Sequence, residues 1–120
     1  EEQQERVQGY FDASPFADRI KYIIGDAGDV VPRIGEEFDL VFIDADKKNN
    51  LFYFETLIDH VPRGGVILID NVLWKGKVFQ ANPDNQTRKV LELNETLAGD
   101  PRVEKLILPI RDGLFVLRKK

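Results

Sequence analysis

The sequence predicts an α/β domain whose sheet is mostly parallel and closes with an antiparallel pair. Three observations carry this. Two short apolar runs, Leu40 to Ile43 and Val66 to Ile69, each end at an aspartate, as strands buried on both faces of a parallel sheet do. Between and after them, apolar residues recur at helical spacing. Finally, Arg111-Asp112-Gly113 separates two more strand-like runs, a tight hairpin signal.

The chain has 120 residues, enough for one domain and no more. Hydrophobic content of 42% with 8 Phe allows a core. A net charge of −4 supplies no basic field for nucleic acid. With no Cys, disulfides and thiolate metal sites are excluded, and one His, His60, cannot build a histidine metal cluster. His60 is expected near a helix end, where a cation is favourable. No apolar run approaches the ~18 residues of a membrane span, and no signal-like start is present. Cytoplasmic location is the default expectation. The chain does not begin with Met, which hints at a trimmed or incomplete protein.

Taken in order, Glu1 to Ala13 reads as a helix, with Val7, Tyr10 and Phe11 on one face and Gly9 as its weak point. Ser14-Pro15 breaks it. Ile20 to Ile24 reads as a strand ending at Gly25-Asp26-Ala27, and Asp29 to Ile34 as a short helix or turn. Phe38 to Asp44 is the central strand. Asn50 to Val61 is helical, with a core-facing stripe of Leu51, Phe54, Leu57 and Ile58. Pro62 to Gly65 turns the chain into the strand Val66 to Asp70. Asn71 to Gln86 reads as a long polar loop of the kind that often carries function. Thr87 to Leu97 is a helix stopped by Gly99-Asp100-Pro101. Strands Val103 to Pro109 and Leu114 to Arg118 close the sheet. No repeat or linker marks a second domain.

The chemistry is expected where parallel strands end, since open α/β sheets bind ligands there. Asp44 and Asp70-Asn71 stand at the carboxyl ends of consecutive strands, and neighbouring strands lie ~4.8 Å apart. Two carboxylates and an amide oxygen without His or Cys suit a hard divalent cation, Mg²⁺, Mn²⁺ or Ca²⁺. The alternative is that Asp70-Asn71 only caps a turn. Lys47 follows Asp44 closely. Beside a divalent cation its ammonium would be disfavoured, and it could take a proton from a metal-bound hydroxyl. At Gly25-Asp26-Ala27 the small residues would admit a flat ring, with Asp26 accepting from an amine; a plain turn reads equally well. Trp74 is either an anchor for the long loop or a wall of an aromatic-substrate pocket.

Three stretches together, VFIDADK at 41–47, LIDNVLWKGKV at 68–78 and VLELNETLAGDPRVEKLILPIRDGL at 90–114, resemble the cation-dependent O-methyltransferases, the caffeoyl-CoA and catechol O-methyltransferase-like family that uses S-adenosylmethionine. The resemblance implies a Rossmann-like methyltransferase sheet. It implies that Asp44, Asp70 and Asn71 are the divalent metal ligands and that Lys47 assists deprotonation of the acceptor hydroxyl. It places Asp44 near the methionine part of the cofactor and Asp26 with Ala27 along the adenine. It implies a catechol-like or phenylpropanoid acceptor and a homodimer. Where plant caffeoyl-CoA enzymes have a substrate-holding Asn after the LW of this loop, Lys75 stands here, which suits a bacterial-type enzyme of broader phenol range.

The family's glycine-rich loop, the acidic residue that binds the ribose and the covering N-terminal helices have no counterpart in the 120 residues. In the family's sheet the first two strands separate the segment Ile20–Ile24 from Val41–Ile43. The expectation is therefore a C-terminal part of a larger methyltransferase domain, with a hole in its sheet and little activity alone. Two other readings compete. A receiver-like signalling domain would also end FDLVFID on a functional Asp, but it lacks a preceding acidic pair and would not carry the closing hairpin. A non-catalytic scaffold would leave Asp44, Asp70 and Asn71 merely solvated.

Overall fold

The computed structural model describes residues 2–120; the predicted helical position Glu1 lies outside them. The main sheet has four strands: β1 (Leu40–Ile43), β2 (Val66–Asp70), β3 (Val103–Leu108) and β4 (Leu114–Lys119). Their order is β1-β2-β4-β3. β1 and β2 pair in parallel, Leu40 opposite Val66 through Ile43 opposite Ile69. β4 runs antiparallel to both β2 and β3. The predicted parallel pair with an antiparallel hairpin at its end is therefore present.

Helices α3 (Asn50–Leu57) and α4 (Asn85–Gly99) cover one face of this sheet. Val41, Ile43, Ile67, Ile69, Phe115 and Leu117 meet Tyr53, Phe54, Leu57 and Ile58 from one helical segment and Leu93 and Leu97 from the other. The period-2 alternation of the strands selects the first set and the helical spacing selects the second. The predicted stripe of α3 is thus the core-facing one, and His60 ends the 3-10 turn that continues it. Phe54 is fully buried beneath Arg102, whose guanidinium lies 5.4 Å from the ring centre. Arg102 in turn holds Asp100 and Glu55, and the bonds from Arg102 keep the Asp100 carboxyl below its ordinary range.

Two expectations fail here. β1 was expected to be buried on both faces, yet Leu40 is 60% and Phe42 57% exposed. β1 is an edge strand, and no helix among the described residues packs on its second face. Ile20 to Ile24 forms no strand; Ile23 and Ile24 stay largely exposed. An extended segment becomes a strand only when a neighbour takes up its backbone groups, and none does among the described residues. The amino-terminal third is correspondingly loose. α1 (Glu2–Asp12) leaves Tyr10 exposed, and its Phe11 packs edge-on against Tyr22. The expected turn near residue 29 is α2 (Ala27–Val30) followed by a 3-10 turn, Val31–Arg33.

The long loop after β2 holds more structure than predicted. A 3-10 segment, Trp74–Phe79, is kinked at Lys75 and Gly76, and α4 starts at Asn85. Asp84 caps α4, accepting from the Thr87 amide and hydroxyl, both at 2.8 Å. Those bonds, the Thr87 amide first, bring the Asp84 carboxyl down to about 2 from 3.8. The folded value lies below the unfolded one, so the stability Asp84 supplies is complete above pH 3.8 and is lost as the pH falls towards about 2. Asp84→Ala should lower the melting temperature at neutral pH and flatten the acid limb of the melting curve; an unchanged limb would remove Asp84 from the cap. Phe54→Ala should cost about 3–5 kcal/mol in urea unfolding, and a much smaller loss would mean that the Phe54 site collapses without a cavity.

Candidate active site

The parallel register brings the carboxyl ends of β1 and β2 side by side. Ile43 sits opposite Ile69, so the next pair along the ladder is Asp44 and Asp70. Lys47 joins them. Its Nζ lies 3.5 Å from Asp44 Oδ1 and 3.3 Å from the Asp70 carbonyl oxygen. The Lys47 side chain is only 11% exposed, whereas that of Asp44 is 55% exposed. A nearly enclosed lysine beside an accessible carboxylate is not the usual solvated surface charge. Asp46, unassigned by sequence reasoning, fixes this turn. Its carboxylate accepts from the Tyr53 hydroxyl at 2.9 Å and from the Asn49 amide at 2.7 Å. Burial and the Asp46 charge push the Tyr53 phenol above its ordinary value.

Asp70 and Asn71 open into a cavity of about 570 Å³ shared with Lys75, Arg111 and Asp112. Asn71 is left-handed at φ 63°, a conformation Asn tolerates better than most residues, and its amide donates to Asp70 Oδ1 at 2.7 Å. Asp44 faces a different, apolar groove of about 270 Å³, together with Ala27, Ala45 and Tyr53. The structure therefore places Ala27 and Asp44, both predicted to line a cofactor, in one groove. Asp26 does not line it. Its carboxylate accepts from the Gly28 amide at 2.8 Å and caps α2. Trp74 does not line the Asp70 cavity either. It is part-buried, and its indole N–H is buried without a partner.

Among the described residues no three His, Cys, Asp or Glu side chains gather as a metal cluster. The predicted donor set contains two carboxylates, Asp44 and Asp70, and one amide, Asn71. Its chemistry fits a hard cation, because all three donors are oxygens on adjacent strand ends.

Sequence reasoning missed Arg111 and Asp112 as site residues. They lie some 40 positions from Asp70, and only the pairing of Asp70 with Leu114 brings their hairpin to the cavity. The Asp112 carbonyl accepts from Leu73 at 2.9 Å, its carboxylate accepts from the Lys75 amide, and the Gly113 carbonyl accepts from Val72 at 3.2 Å. Gly113 has φ +83°, and a Cβ there would lie 2.5 Å from Leu73 Cγ and 3.0 Å from the Leu73 amide nitrogen. Gly113→Ala should therefore push the hairpin off the loop, lowering the melting temperature and shifting the Asn71 and Lys75 amide resonances. Unmoved resonances would show that the loop holds its shape without the hairpin.

Comparison with known proteins follows the same lines. The O-methyltransferase family matches residues 1–120. Caffeoyl-CoA O-methyltransferase 1 of Eucalyptus globulus is 42% identical over 116 residues, covering 86% of this chain and 47% of the relative. The SAH-bound methyltransferase of Podospora anserina superposes with a TM-score of 0.82 at 27% identity, over 98% of this chain and 54% of that one. The O-methyltransferase TomG of Streptomyces achromogenes, involved in tomaymycin synthesis and solved with SAM, gives 0.85 at 26% identity, over 98% and 57%. The chain spans about half the length of the relatives it matches. No helix among the described residues is long and apolar enough to cross a membrane. A parallel-antiparallel sheet of this topology, the strand-end residues and a match over residues 1–120 lead to one conclusion: this chain belongs to the O-methyltransferase family.

Proposed function

We propose that the whole protein transfers a methyl group from S-adenosylmethionine to a hydroxyl of a catechol-like or phenylpropanoid acceptor with the help of a divalent cation. The observation that carries this is Lys47, enclosed between the Asp44 carboxylate and the Asp70 carbonyl beside the Asp70–Asn71 cavity. The curated relatives support the acceptor class through their own names, and the SAH- and SAM-bound structural relatives support the cofactor.

In this reading Asp44, Asp70 and Asn71 hold a hard divalent cation, Mg²⁺ first, with Mn²⁺ and Ca²⁺ suited to the same oxygen donors. The bound groups would supply an electrophilic methyl on sulfur and a positive charge that favours an ionised acceptor oxygen. Lys47 takes the proton of the acceptor hydroxyl onto Nζ and returns it to solvent after transfer. Asp46 and Tyr53 keep the Lys47 turn in place. Ala27 and Asp44 flank the cofactor along the apolar groove, with Asp26 holding α2 beside it. Lys75 contacts the acceptor from the loop, and Trp74, part-buried away from the cavity, anchors that loop. The protein acts as a cytoplasmic homodimer, testable by light scattering and fractionation.

The test is methyl transfer by the whole protein to a 1,2-diol acceptor, with Mg²⁺ and with chelator. Asp70→Ala and Asp44→Ala should abolish Mg²⁺-dependent transfer. Lys47→Ala should lower kcat by roughly 10²-fold or more near neutral pH while cofactor affinity is retained. Transfer indifferent to chelator would remove the cation. Intact transfer and metal affinity in Asp70→Ala would remove the site.

A further inference from the structure

The four non-glycine residues with left-handed backbone among the described residues lie in two loops that meet at one place. Asn71 (φ 63°), Trp74 (φ 47°) and Lys75 (φ 53°) follow β2, and Arg111 (φ 51°) lies in the β3–β4 hairpin. Side chains avoid this region unless the surroundings hold them there. Here the surroundings are the bonds from Val72, Leu73 and Lys75 to Asp112 and Gly113. The outcome is that two cations, Lys75 and Arg111, line the same cavity as Asp70 and Asn71.

Among the described residues neither cation has a carboxylate within ion-pair distance. Asp112, also in the cavity lining, directs one carboxylate oxygen to the Lys75 amide rather than to a side chain. Asp70 gives one of its oxygens to the Asn71 amide. The lining thus carries two acidic and two basic side chains, and a divalent cation at Asp70 would turn the balance positive. Both cations are exposed and lose no existing partner on meeting an anion. A guanidinium also matches the two oxygens of a carboxylate or phosphate.

We propose that Lys75 and Arg111 form an anion subsite that selects acceptors carrying a negatively charged group beside the reacting diol. This rests on the reading of the Asp70 cavity as the acceptor site. The anion is a carboxylate of a small phenolic acid or a phosphate of a larger conjugate, and the two share the same recognition chemistry.

The experiment is calorimetric binding at fixed Mg²⁺ of three diols to the whole protein: uncharged 4-methylcatechol, 3,4-dihydroxybenzoate, and the coenzyme A thioester of that acid. At least one charged diol should bind about tenfold more tightly than 4-methylcatechol, and added salt should shrink the ratio. Preference for 3,4-dihydroxybenzoate alone supports a carboxylate-sized subsite, because the thioester has no free carboxylate. Preference for the thioester alone supports a phosphate, and preference for both supports a subsite open to either anion. Arg111→Gly and Lys75→Asn place residues that accept positive φ, so melting temperatures should hold while the ratio falls towards one. Equal binding of all three diols would overturn the anion subsite and leave the acceptor site standing. A ratio that survives both variants would overturn it as well. Binding of none of the three would bring down the acceptor reading along with it.

Discussion

Parallel pairing of β1 with β2 is the constraint on which the candidate site depends. The ladder fixes Ile43 against Ile69, and a slip of one residue would turn every side chain of β1 to the other face. The core forbids that slip. Val41 and Ile43 face the packed helices, while Leu40 and Phe42 stay exposed on the other side. With the register held, the chain leaves β1 and β2 at the same height, and Lys47 reaches from one strand end to the carbonyl of the other. Burial of a few aliphatic side chains thus sets the position of two carboxylates, an amide and an amine that contribute little to the core themselves.

A second layer of positioning comes from the hairpin. β4 lies beside β2, so the turn between β3 and β4 must lie against the loop leaving β2. Asp112 and Gly113 use backbone groups and one carboxylate to satisfy the Val72, Leu73 and Lys75 amides. Those amides would otherwise be left without partners where the loop bends back on itself. The bonds also offset the unfavourable backbone of Asn71, Lys75 and Arg111. A loop of this length would be mobile if left alone; docked on the hairpin it becomes the wall of a cavity.

The two cavities at the strand ends divide the predicted residues. Asp70 and Asn71 belong to a polar cavity with cations around it, and Asp44 belongs to an apolar groove with Ala27. Lys47 is the link, bonded to Asp44 and to the Asp70 backbone.

The sequence alone determined β2 to the residue, β1 but for its flanking positions, both core helices, the antiparallel ending and the aspartates that close the strands. Those features are local: apolar runs, helical spacing and turn residues act over a few positions. Asp44, Lys47, Asp70 and Asn71 were legible because they follow such runs directly. Tertiary structure alone decided four other matters. Ile20–Ile24 has strand-like composition but no partner to complete it, and β1 shows one exposed face because it lies at the sheet edge. Asp46 holds Tyr53 because α3 folds back over the turn. Arg111 and Asp112 reach the cavity only through a ladder joining residues more than 40 positions apart. No local pattern records such a pairing, since it depends on which strands the whole chain brings together.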